Sequence, residues 1–187
     1  GGFRGWSFRS IEALWFGQHL YQPLLHVQGK VVQVSPVSLN AGEKDFVLDM
    51  KAFYDANSQY FADKELYVLR NQSRGKGVGF FEAGNFHPDF IVWLLYSGKQ
   101  YVSFVDPKGI RNLAGPGDDK IEFYRTIKQL EARLNDPDVI LNSFIVSCTP
   151  FRQVAWWSDG DKAELERKNV LFQNDDKASY IKRMLEK

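Results

Sequence analysis

Asp89, Asp106 and Lys108 are the residues of this 187-residue chain whose types and spacing could do chemistry. Phe90 to Tyr96 and Tyr101 to Val105 are rich in β-branched and aromatic residues, and Ser97-Gly98-Lys99-Gln100 joins them, the pattern of a β-hairpin. In an antiparallel pair the start of the first strand lies beside the end of the second, so Asp89 and Asp106 become neighbours. Adjacent carboxylates repel unless a cation lies between them, and Mg2+ (or Mn2+) is commonly held by one or two carboxylates plus waters and phosphates. Asp106 and Lys108, two positions apart on a strand, point the same way, while Pro107 points opposite. The lysine can then orient a metal-bound water or stabilise charge on a phosphate. Pro107 gives no N–H to a sheet, and its free carbonyl is a further candidate metal ligand. The chemistry implied is metal-dependent hydrolysis of a phosphodiester, with Asp89, Asp106 and Lys108 catalytic. The plainer alternative is that Pro88-Asp89 and Asp106-Pro107-Lys108-Gly109 simply begin and end strands as turn sequences.

The elements that must position these residues are legible on both sides. Asn40 precedes a segment whose Phe46, Val47, Met50, Phe53 and Tyr54 share one helical face, which predicts a helix packing on a sheet. Glu43, three residues after Asn40, fits a capping box. Leu66 to Asn71 and Val78 to Glu82 read as strands, making a meander with the Asp89 and Asp106 strands. Glu82, at a strand end, either faces the site or pairs with a nearby cation. His87 is a candidate proton donor or phosphate contact. After the Ala114-Gly115-Pro116-Gly117 loop, Asp118 to Leu134 has helical periodicity, with Ile121, Tyr124, Ile127, Lys128 and Leu134 lining or bordering the packed face. A strand over Val139 to Val146 follows, interrupted by Asn142-Ser143. N-terminally, Ser10 caps a helix that ends before Pro23, with Glu12 in its first turn, where the macrodipole favours an acid. A strand is expected around Val31 to Val34. Toward the C-terminus, Ser158-Asp159 opens a charged helix through Lys168, and a last helix runs to Leu185.

The Pro88-Asp89 and Asp106-Pro107-Lys108 pair resembles the signature of the PD-(D/E)xK nucleases, which have the restriction-endonuclease fold. More narrowly, Leu69-Arg70-Asn71, Gly79-Phe80-Phe81-Glu82 and Phe86-His87-Pro88-Asp89-Phe90 are similar to nuclease domains attached to DEAD/DEAH-type helicases in type III restriction and phage-defence systems. The proline between Asp106 and Lys108 departs from the apolar residue usual there. The resemblance implies an α/β fold, a central mixed sheet flanked by helices with an αβββαβ core. It implies one domain over 1–187, the core at about 41–148, with an N-terminal helix 10–22 and C-terminal helices 158–186 packed on it. It also implies an Mg2+- or Mn2+-dependent endodeoxyribonuclease, with DNA and a helicase/ATPase domain as partners. On the same ground Glu43 and Glu12 become candidate site residues beside Glu82 and His87, and Lys128 can approach the site.

Composition constrains the reading further. The formal net charge is +1, far from the basicity of a free-standing DNA-binding protein. Affinity for DNA must then come from local patches or from another part of the assembly. Arg70, Arg74 and Lys76, interleaved with glycines, are one such patch, read either as a loop reaching the DNA backbone or as a solvated turn. Gly75-Lys76-Gly77-Val78-Gly79 lacks the spacing and the Ser/Thr of a phosphate-binding P-loop. Cys148 is the single cysteine, so no intramolecular disulfide can form; without a long apolar segment, the expectation is a reducing cytoplasm and no membrane partner. Trp156-Trp157 could stack on bases or sit at a domain interface. Two other functions compete with the metal-dependent nuclease. One is a nuclease fold without catalysis, serving DNA binding or protein docking. The other is a carboxylate site for a different phosphate ester, such as a nucleotide.

Overall fold

A computed structural model describes residues 7–8, 11–14, 24–27, 38–71, 78–80, 86–154, 160–177 and 179–187. The core follows the expected αβββαβ order. Helix α1 spans Ala41–Ala56, the strands β4 Lys64–Arg70, β5 Phe90–Tyr96 and β6 Lys99–Lys108 follow, then helix α2 Asp119–Leu134 and strand β7 Val139–Ser147. Helix α3 (Lys162–Arg167), strand β8 (Val170–Phe172) and helix α4 (Tyr180–Leu185) complete it. The five strands form one mixed sheet in the order β4-β5-β6-β7-β8. β4, β5 and β6 pair antiparallel as a meander, whereas β6, β7 and β8 run parallel. Parallel neighbours need crossovers, and α2 and α3 supply them.

Local chemistry sets the element ends. Asn40 and Glu43 form the capping box of α1: the Asn40 N–H donates to Glu43 Oε2 (3.0 Å), and the Glu43 N–H donates to Asn40 Oδ1 (3.0 Å). The β5–β6 turn is shorter than the sequence suggests. Ser97 and Gly98 both take positive φ, 52° and 75°, so the chain reverses in a tight two-residue turn and β6 begins at Lys99. Asp118 caps α2 by accepting from the Lys120 N–H at 3.0 Å.

The sheet alternates faces. Phe90, Val92 and Leu94 of β5, with Leu66, Val68 and Val105, pack against Phe46, Val47 and Met50 of α1 and Tyr180, Ile181 and Met184 of α4. The Phe46 and Phe90 rings lie 5.3 Å apart. Inside this layer the Tyr180 hydroxyl donates to Asp49 Oδ2 at 2.9 Å, joining α4 to α1. On the opposite face α2 buries Ile121, Phe123 and Ile127, with Phe123 and Ile127 against Phe104 and Leu141.

Several expectations need correction. Asn142 and Ser143 do not interrupt β7; both are buried within one continuous strand. On α2, Phe123 rather than Tyr124 fills the core, Lys128 is exposed, and Leu134 is 56% exposed. Ile11–Leu14 is a strand, β2, paired antiparallel with β1 (Ser7–Phe8) and β3 (Leu24–Val27), where a helix over 10–22 was expected. Four residues with apolar ends fit either period. Val31 to Val34, Trp156-Trp157 and Ser158-Asp159 lie outside the described residues. Among the described residues, no helix is long and apolar enough to cross a membrane.

Candidate functional site

The pairing register delivers the site. Phe90 lies opposite Val105, so Asp89 and Asp106 are one step further along at the same end of the β5–β6 ladder. Their side chains share a hydrogen bond. Asp106 is 5% exposed, and Lys108, two residues on, forms an ion pair with it. The lysine backbone is fixed as well, since its carbonyl accepts from the Cys148 N–H at 2.9 Å. Pro107 lies inside the parallel ladder opposite Val146.

Asn71 holds the other side of the site, a role the sequence reading missed. Its backbone N–H donates to the Asp89 carbonyl (2.8 Å). Its side-chain amide donates to the carbonyls of Val78 and Pro88, both at 2.7 Å, and its Oδ1 accepts from the Val78 N–H at 2.9 Å. One asparagine thus ties the end of β4 to the segment before β5, replacing the ladder that Val78 to Glu82 was expected to make. Among the described residues that segment contributes only the bridge between Phe80 and Phe86. The signal was an Asn flanking a glycine-rich stretch, where its side chain can mimic a backbone turn.

Glu43 approaches from α1. Its Oε2 lies 3.7 Å from Arg70 Nη2, and its Oε1 accepts from Asn40 Nδ2 at 2.8 Å. Both oxygens are therefore engaged by the cap and by Arg70, although the charge still reaches Asp89. The Asp89 carboxyl is pushed up to about 8, first by burial, then by the Asp106 charge and the hydrogen bond to it, with Glu43 adding to the effect and Lys108 opposing it. At neutral pH a shared proton joins the two aspartates. Like charges in one buried site cannot both ionise without compensation.

This arrangement overturns the metal-centred expectation. Among the described residues no group of three or more His, Cys, Asp or Glu side chains could hold a metal ion. Asp106 is paired with Lys108, Asp89 with Asp106, and Glu43 with Asn40 and Arg70. The Mg2+ or Mn2+ cofactor and the metal-dependent endonuclease activity are corrected accordingly. No family model matches this chain. Nor does any curated protein or solved structure. The fold is broadly consistent with a restriction-endonuclease-like scaffold, and nothing beyond it supports a part in restriction, in phage defence or in nuclease activity.

The remaining candidates separate by position. His87 is exposed, and its ring lies over Gly79, where an added Cβ would stand 2.2 Å from His87 Cε1. Gly79→Ala is therefore expected to displace the imidazole at little cost in stability, because His87 is exposed and its ring can swing aside. A change in the His87 ring resonances, with urea unfolding nearly unchanged, checks this. Lys128 pairs with Glu131 at 2.8 Å on the exposed side of α2. Cys148 is partly buried, and burial first, with the Asp45, Asp106 and Glu43 charges, pushes its thiol up to about 11. A thiol held protonated is a poor nucleophile. Glu12 falls on β2, whose side chains lie outside the described residues, as do Arg74, Lys76 and Glu82.

Proposed function

We propose that the chain is a DNA-binding module built on a nuclease-like scaffold, one that engages DNA at the β4–β6 sheet end without cutting it. The observation that carries this reading is Arg70. Its guanidinium is only 12% exposed, it faces Glu43, and among the described residues its buried Nη1 has no hydrogen-bond partner. A buried donor without an acceptor is costly, and a phosphate oxygen would satisfy it. The usual obstacle to phosphate beside carboxylates is their negative charge. Here the Asp89–Asp106 pair holds a proton, and Lys108 and Arg70 sit beside the remaining charges.

The net charge of +1 supports the view that a second polypeptide or domain supplies most of the DNA affinity. The resemblance to helicase-attached domains suggests an ATPase of that kind.

Fluorescence anisotropy with a labelled duplex tests the reading. Arg70→Gln is expected to weaken binding about tenfold, the loss of one hydrogen bond to a charged group, and to reduce the salt dependence by about one phosphate contact. Incubation of supercoiled DNA with Mg2+, Mn2+ or EDTA should leave it intact. Metal-dependent cleavage, or duplex affinity indifferent to Arg70, would overturn the proposal.

A further inference from the structure

At the other end of the β5–β6 hairpin, about 20 Å along the strands from Asp89, the sheet carries a second feature. Register places Tyr67 of β4 opposite Trp93 of β5, and Leu95 opposite Gln100 of β6. These side chains lie on the face away from α1. There, among the described residues, Tyr67, Leu69, Trp93, Tyr96, Lys99 and Gln100 line much of a groove of about 790 Å³. That volume falls in the range of small-ligand sites.

Its chemistry is uneven in an informative way. The walls are aromatic and apolar, yet the Trp93 indole Nε1 is buried with no hydrogen-bond partner among the described residues. An indole N–H is a donor only, so whatever completes it must bring an acceptor. The rim brings positive charge at Lys99, exposed at the first residue of β6. Glu65 accepts from the Tyr67 hydroxyl. An occupant that fits has a flat aromatic face, acceptors along its edge and a negative charge outside. A nucleobase with its phosphate has all three, and aromatic side chains on an open sheet commonly stack unpaired bases.

We infer that this groove is a binding site for single-stranded nucleic acid, with a base stacked at Trp93 and Tyr67 and its phosphate toward Lys99. The site is separate from the Arg70 end of the sheet and does not depend on the duplex reading given there.

Anisotropy with a fluorescein-labelled oligothymidylate, run beside the labelled duplex, tests the inference. Trp93→Leu is expected to weaken single-strand binding about tenfold, the usual scale for losing one stacked base. Duplex affinity should change little. Lys99→Glu lies at the exposed first residue of β6 and leaves the core intact, so it separates loss of the site from loss of the fold; it should weaken the single strand and leave the melting temperature in place. Arg70→Gln should spare the single strand, so that failure of one site is distinguishable from failure of the other. Oligothymidylate affinity unchanged by both Trp93→Leu and Lys99→Glu overturns the proposal. So does concentration-dependent dimerisation abolished by Trp93→Leu in a protein that ignores the oligonucleotide, which would assign the groove to a second copy of the chain.

Discussion

Urea unfolding of this protein at a series of pH values should show stability falling steadily as pH rises from about 5 to about 8, by on the order of 1 kcal/mol per pH unit. The sign follows from Asp89. An aspartate in an unfolded chain releases its proton near 3.9, whereas in the folded protein this one holds it up to about 8. Between those values the native state binds a proton that the unfolded state lacks, so the stabilisation is complete below the lower value and is lost as pH passes through the upper one. Asp49, which burial also shifts upward, contributes in the same direction. The comparison that isolates Asp89 is Asp89→Asn. An amide can still donate to Asp106 but does not titrate, so the variant should show a distinctly flatter profile and exceed the wild type in stability at pH 8. Glu43→Gln keeps the capping geometry and removes one of the charges acting on Asp89, so it should move the fall to lower pH. Identical slopes in wild type and Asp89→Asn would remove the shared proton from the account.

The second large effect lies away from the carboxylates. Phe123→Ala is expected to cost about 3–5 kcal/mol, as for large aromatic truncations in a packed core. Phe123 is fully buried, with its ring 4.7 Å from Phe80 and 5.3 Å from Phe86. Those two residues form the bridge that brackets the approach to His87-Pro88-Asp89. The cavity should therefore loosen the segment that carries Asp89, admit water to it, and weaken the pH dependence as well as the fold. Leu141→Ala is the control. It belongs to the same cluster but sits on β7 and makes no ring contact with the bridge residues, so it should lower stability without flattening the profile. Equal pH profiles in Phe123→Ala and wild type would mean that Asp89 is held by Asn71 alone.

These two predictions also mark how far the sequence could be read. The hairpin, the Asn40–Glu43 cap and the helical periodicity of Asp118 to Leu134 are local signals, and they were enough for the order of the core elements. The meeting of Asp89, Asp106 and Lys108 at one sheet end was legible too, because antiparallel register is set by a short turn. The state of those groups was not. Whether two adjacent carboxylates hold a cation or a proton depends on their burial and on what already occupies their oxygens. Arg70, Asn40 and Lys108 answer that only in three dimensions. Ile11–Leu14 failed for a different reason: Ile11, Leu14 and Trp15 satisfy helical spacing, but so short a run satisfies a strand equally, and pairing with Leu24–Val27 decided it. Asn71 was invisible because its importance lies in three backbone groups it reaches, not in its own type.

The hydrogen bond from Tyr180 to Asp49 has an architectural consequence. It fastens the last helix of the core to the first, and both lie on the same side of the sheet. The first helix of this α/β body and the last are therefore neighbours in space, and neither can leave the sheet without breaking the hydrogen bond it shares with the other.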